Sequence, residues 1–259
     1  MAQDANNTYL YDADGQLCAV NAVGVGMIGY LYDASGNRVA KGTISSWSCD
    51  ISQNGFQQTA GYVVDGGAQL TEVDGSNNWK HTNLWLGDKQ FGSYDQQGLH
   101  FFFYDPLGTR RAQSNSAGAL EAVYQSLPYG DDLVSNGTDD PTENHYTGKE
   151  RDPETGNDYF DARYYSSTMG RFMSPDWSAK VEPVPYAKLG DPQSLNLFSY
   201  VRNNPTIFAD SDGHDIASTA LQAAEESLDA LEQEATVWAN SIPNKPAQQQ
   251  VSQAGQDFI

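Results

Sequence analysis

Residues 146–177 read YTGKERDPETGNDYFDARYYSSTMGRFMSPDW, and residues 195–214 read LNLFSYVRNNPTIFADSDGH. The two stretches are rich in Tyr, Phe, Asn, Gly and Pro and poor in helix formers. Aromatic residues favour a pleated, half-buried surface, while Asn, Asp, Gly and Pro favour tight turns. The reading is therefore short strands joined by turns. Between the stretches, residues 177–192 (WSAKVEPVPYAKLGDP) carry three prolines and read as an extended insert.

Upstream, the chain repeats itself. Residues 9–20 read YLYDADGQLCAV and residues 30–41 read YLYDASGNRVAK, an offset of 21 residues (30 − 9). Each copy is a strand, a turn on Asp-x-x-Gly and a second strand. Asp12 and Asp33 can accept hydrogen bonds from turn N–H groups, and Gly15 and Gly36 can take positive φ. A weaker copy is Phe103-Tyr104-Asp105-Pro106-Leu107-Gly108, with degenerate ones at 62–65 and 93–95. Alternating apolar residues at 62–64, 69–73 and 81–86 add further strands.

These Tyr-Asp units resemble the YD repeats of the RHS family, and residues 146–214 resemble that family's repeat-associated core. DARYY, GRFMSPD and LNLFSYVRNNP stand in the family's order. The resemblance, over residues 9–214, implies an all-β fold. Antiparallel YD-repeat hairpins would form part of a spiral β-shell, as in bacterial RHS proteins, toxin-complex C components and the teneurin YD shell. Expected regions are 1–130 (repeat hairpins), 131–214 (core) and 215–259 (helical extension and tail). Few repeats cannot wind a closed shell, because stacked repeats need neighbours to bury their faces. The chain thus reads as the C-terminal end of a bacterial RHS protein or as a remnant of one.

After residue 214 the pattern changes. Ala217, Leu221, Ala224, Leu228, Leu231, Ala235 and Trp238 step by four and three, an apolar stripe on an amphipathic helix. Pro243 and Pro246 end it, and a Gln-rich tail reads as disordered.

Charge restricts function. With 14 Lys and Arg against 34 Asp and Glu, net −20, the chain is a poor partner for nucleic acid or an anionic membrane. No signal peptide is visible and no run reaches the roughly 18 apolar residues of a membrane helix. Cys18 and Cys49 are read as two unpaired thiols in preference to one disulfide. Gly24-x-Gly26-x-x-Gly29 matches a dinucleotide fingerprint, but a strand follows where a helix is required, so a tight connection is expected. Asp12-x-Asp14-Gly15 and Asp210-x-Asp212-Gly213 lack the later ligands of a calcium loop. No cofactor or metal is expected.

The one constellation with chemistry comes from the resemblance. The family core cuts its own chain after a D-P-x-G-L motif, using two Asp and an Arg. By motif these fall on Arg163, Asp176 and Asp210, with the cut after His214. Paired carboxylates can divide the work, one activating water and the other protonating the amide. Trp177, Ser211 and His214 depart from the family pattern. The expected function is a shell segment that caps or encloses a C-terminal segment, in toxin delivery or surface interaction. Single-turnover aspartic self-cleavage is one alternative. The other is a glycan- or cell-surface-binding module using Trp79 or Trp85. Expected partners are the chain's own C-terminal segment or an upstream shell portion, at a secreted or cell-surface location.

Overall fold

The computed structural model describes residues 3–87, 89–137, 142–177, 184, 190, 192–214 and, for the backbone, 216–217. By internal contacts the chain divides into residues 1–217 and residues 218–259. The expected helix stripe from Leu221 to Trp238 and most of the Pro-rich insert lie outside the described residues.

Twelve strands form one antiparallel sheet in sequence order: β1 Asn7–Tyr11, β2 Leu17–Ala22, β3 Gly26–Tyr32, β4 Arg38–Thr43, β5 Gln57–Asp65, β6 Ala68–Asp74, β7 Trp79–Leu86, β8 Lys89–Asp95, β9 Leu99–Tyr104, β10 Arg110–Asn115, β11 Leu120–Gln125 and β12 Val134–Gly137. Each strand pairs with the next, so every connection is local, as the hairpin pattern implied.

One turn recurs. In Asp12–Gln16, Asp33–Asn37, Asp74–Asn78, Asp105–Thr109 and Asn115–Ala119, the first side chain's Oδ1 accepts N–H bonds from the residues two and four ahead, at 2.8–3.0 Å. The fourth position has positive φ in all five, at Gly15, Gly36, Asn77, Gly108 and Gly118. Gly and Asn tolerate that region best, which explains the motif. Gly24 sits with positive φ in the β2–β3 connection and Gly26 opens β3, so the dinucleotide-like spacing is hairpin chemistry.

A second sheet holds β13 Glu150–Arg151, β14 Asn157–Phe160, β15 Arg163–Ser166 and β16 Arg171–Phe172. A two-stranded pair, β17 Ala209–Asp210 and β18 Ile216–Ala217, closes the described chain. Side-chain alternation splits the β14–β15 hairpin between two cores. Tyr159 and Tyr164 pack with Tyr9, Leu17, Val20, Ile28 and Tyr30 of the repeat strands. Phe160 and Tyr165 pack with Tyr146, Phe172, Tyr200 and Val201. The opposite face of β2 carries Cys18 and Ala19 against Ile44, with Phe56 and Cys49 beside them.

That third cluster corrects the cysteine reading. Cys18 and Cys49 are disulfide-bonded, with Cα atoms 5.4 Å apart. The segment after β4 folds back over β2, a long-range approach that spacing alone does not reveal.

Two buried arginines tie the repeats to later segments, Arg38 to the second sheet and Arg110 to residues 142–145, which lead into it. Arg38 and Arg110 occupy the same place, the residue following the Asp33 and Asp105 turns. Arg38 Nη1 donates to both carboxylate oxygens of Asp152 (2.9 and 2.8 Å) and to the Tyr164 hydroxyl (2.9 Å), and its Nη2 lies 2.6 Å from Glu150. The guanidinium also lies over the rings of Tyr30, Tyr62 and Tyr159. Arg110 donates to the Thr142 hydroxyl and carbonyl (2.9 and 3.0 Å) and stacks on Phe102 and Tyr124.

Candidate functional site

Arg163 follows a turn at Asp161 (φ 56°) and opens β15. Its neighbour across the hairpin is Phe160, and its guanidinium lies 3.7 Å from the Phe172 ring centroid, a cation–π contact that fixes its plane. Asp176 follows β16, its N–H bonded to the Leu197 carbonyl (2.9 Å). Asp210 ends β17. The fold therefore gathers Arg163, Asp176 and Asp210 from three separate segments.

Arg163 sits between the two acids. Its Nη2 donates to Asp176 Oδ2 at 3.1 Å and lies 4.0 Å from Asp210 Oδ2. Its Nη1 donates to the Leu197 carbonyl at 3.0 Å, and its Nε donates to the Gly213 carbonyl. Asp210 Oδ1 accepts the N–H groups of Asp212 (3.1 Å) and Gly213 (2.7 Å). Asp210 thus is a turn-capping residue as well as a member of the cluster. Burial pushes its carboxyl up to about 6, against the opposing pull of the Gly213 N–H and Arg163.

Gly213 has φ of +82°, and a Cβ there would collide with the Phe160 carbonyl oxygen. Glycine is thus required where the chain passes Arg163. Trp177 and His214, both departures from the expected motif, touch each other. Their rings meet edge to face with centroids 4.6 Å apart. His214 Nδ1 lies 2.9 Å from Asp176 Oδ1, which also accepts the Trp177 N–H at 2.8 Å. Sequence reasoning missed this contact because it set His214 aside as a mismatch.

A second acidic cluster was also missed. Glu143, Glu150 and Asp152 place carboxylate oxygens within 4.8 Å of one another. Lys41 Nζ lies 3.2 Å from Glu143 and 3.6 Å from Asp152, and Arg38 sits on Asp152 and Glu150. Two internal cations already serve these three acids, so the cluster reads as a structural seam. Of the tryptophans weighed for glycan stacking, Trp79 is part exposed and packs on Tyr94 at 5.7 Å. Trp85 donates its Nε1–H to the Gln69 carbonyl at 3.0 Å. Among the described residues no helix is long and apolar enough to cross a membrane.

Comparison with known proteins places this geometry in context. No family model matches the chain. The tRNA3(Ser)-specific nuclease WapA of Bacillus spizizenii is 32% identical over 218 residues, which is 82% of this chain and 8% of the relative. The tRNA nuclease WapA of Bacillus subtilis strain 168 is 33% identical over the same shares. Toxin subunit YenC1 of Yersinia entomophaga is 28% identical over 71% of this chain and 19% of its own. The chain thus spans a small part of these relatives. Among solved structures, the Photorhabdus luminescens Tc holotoxin pore matches at a TM-score of 0.57 and 18% identity, over 84% of this chain and 11% of that one. A TcdB2-TccC3-TEV crystal structure matches at a TM-score of 0.58 and 22% identity, over 81% and 10%. The all-β antiparallel fold is therefore shared with toxin-complex proteins.

Proposed function

We propose that this chain is the closing portion of an RHS-type β-shell, which caps or encloses the segment after residue 214 in the delivery of a toxin. The carrying observation is the seam formed by Arg38 and Arg110. Arg38 holds a compact aromatic sheet against a run of hairpins, and Arg110 holds the segment that leads into that sheet, in a fold shared with toxin-complex proteins. Repeat hairpins alone leave strand edges open, and such edges need a cover or further strands. The nuclease activity named for the WapA relatives is not carried over, since a charge of −20 opposes tRNA binding. The test compares limited proteolysis of this chain with that of the product of its full upstream coding frame. Protection of residues 218–259 only in the longer product supports enclosure. Equal digestion of the two products refutes it.

A second reading, self-cleavage, is favoured by the seating of Arg163 between Asp176 and Asp210 beside Gly213. In this reading Asp176 takes a proton from water, whose oxygen adds to the His214 carbonyl carbon. Asp210 then gives its proton to the departing Asp215 nitrogen as the C–N bond breaks. A carboxyl raised to about 6 suits the acid, and a carboxylate held by Arg163 suits the base. Intact mass spectrometry decides. A fragment starting at Asp215, absent in Asp210→Asn, supports cleavage. A single full-length mass at every pH from 5.5 to 8 overturns it.

A further inference from the structure

We propose that His214 is a positioning residue of this self-cleavage site, docking the chain end on Asp176 through its imidazole, with Trp177 as the wall of its seat. The inference rests on the self-cleavage reading and adds to it a positioning residue.

The geometry is specific. Asp176 uses its two oxygens on different partners. Oδ2 accepts from Arg163 and Oδ1 faces His214 Nδ1 at 2.9 Å. Imidazole and guanidinium can therefore bind Asp176 together without displacing each other. The Trp177 N–H on Oδ1 fixes the carboxylate's orientation, and the Trp177 ring, perpendicular to the imidazole, limits its rotation. The His214 backbone is held as well, its N–H donating to Asp212 Oδ1 at 3.0 Å. The side chain and the main-chain N–H of the residue that carries the attacked carbonyl are thus both held. Holding a reacting group in place is where much of a rate enhancement arises.

The imidazole makes this bond by donating from Nδ1, and a bond to a carboxylate is stronger than one between neutral groups. The exchange of two motif residues together, to Trp177 and His214, is then one change: a ring and its wall.

The experiment uses the full chain, purified in urea and refolded by rapid dilution into buffers from pH 5.5 to 8, with the fragment starting at Asp215 followed by mass spectrometry. Wild type should release the fragment. His214→Leu, which removes the hydrogen bond, should slow cleavage roughly 10- to 100-fold, the range of one charge-assisted bond. His214→Gln, which keeps a donor, should restore cleavage to within about 5-fold of wild type. Circular dichroism melting of each variant separates folding defects from site defects. His214→Leu cleaving at the wild-type rate, or His214→Gln failing to restore cleavage while folding normally, would overturn the positioning role while leaving self-cleavage intact. Absence of any fragment from wild type would overturn both.

Discussion

Arg38→Met is the sharpest perturbation of this fold. The Arg38 side chain is fully buried, as is Asp152, and the Glu150 side chain is 8% exposed. Methionine fills similar space but leaves two buried carboxylates with Lys41, 3.6 Å from Asp152, as the remaining cation among the described residues, and with the Tyr62 and Gln69 hydrogen bonds to Glu150. Breaking a buried pair by removing one partner costs about 3–5 kcal/mol, and Lys41 places the expectation near the lower figure. Three kcal/mol is a change of roughly 150-fold in the folding equilibrium at 1.4 kcal/mol per tenfold. Urea titration at pH 7.5 reads it directly. The same titration at pH 5.5 tests the cause. Burial, resisted by Arg38, already pushes the Asp152 carboxyl up to about 6. Without the arginine it rises further and is protonated at pH 5.5. Asp152's share of the charge penalty then vanishes, and the loss should be smaller by about 1 kcal/mol or more, the remainder being the Glu150 charge, lost hydrogen bonds and packing. A loss under about 1 kcal/mol at pH 7.5, or an equal loss at both pH values, would refute the claim that Arg38 acts by neutralising the seam.

Three further outcomes are expected. Asp210→Asn should keep or raise the melting temperature at pH 8, because it removes a buried charge whose pKa moves from 3.8 to about 6, while abolishing any fragment; a melting temperature several degrees lower would show that the carboxylate itself holds the turn. Glu143, raised by burial to about 7, and Asp158 and Asp210, raised to about 6, bind protons more tightly folded than unfolded. Their contribution is fully present below pH 4 and is lost as pH rises to 7, so the melting temperature should climb on acidification from pH 8 to 5.5, and a flat or falling profile contradicts this. Reducing the Cys18–Cys49 bridge, 31 residues apart, should cost about 3–4 kcal/mol by loop entropy, read as a fall in urea midpoint with dithiothreitol; an unchanged midpoint would show that the segment is held by packing alone.

What could be read from sequence follows the range of each interaction. The Asp-x-x-Gly turns were visible because all their hydrogen bonds close within five residues. The Asn115 turn and the Asp74 turn use the same geometry but escaped notice, since Asn replaces Asp in one and replaces Gly in the other. Arg38 and Arg110 follow their turns at a fixed place, yet nothing local identifies partners more than 30 residues away in one case and over 100 in the other. The cysteine pairing failed for the same reason. The cluster of Arg163, Asp176 and Asp210 came from resemblance in motif order, and the fold does bring the three together. His214 was visible only as a mismatch, because its meaning lies in a carboxylate 38 residues earlier.

The seam and the candidate site are two faces of one hairpin. Tyr159 pairs with Tyr164 on the face that packs on the repeats, and the Tyr164 hydroxyl accepts from Arg38. Phe160 pairs with Arg163 on the other face, where Arg163 meets Phe172, Asp176 and Gly213. A slip of one residue in this pairing would exchange the faces, taking Arg163 away from both acids and putting Tyr164 in its place. The buried arginine of the repeats thus helps to fix the register that assembles the site. On the self-cleavage reading, chemistry then depends on prior docking of the small sheet against the hairpins. A chain that has not closed its seam would leave that register unfixed and, on this reading, stay intact. Cutting would follow closure, which is the order a shell needs if it is to release its terminal segment only after folding around it.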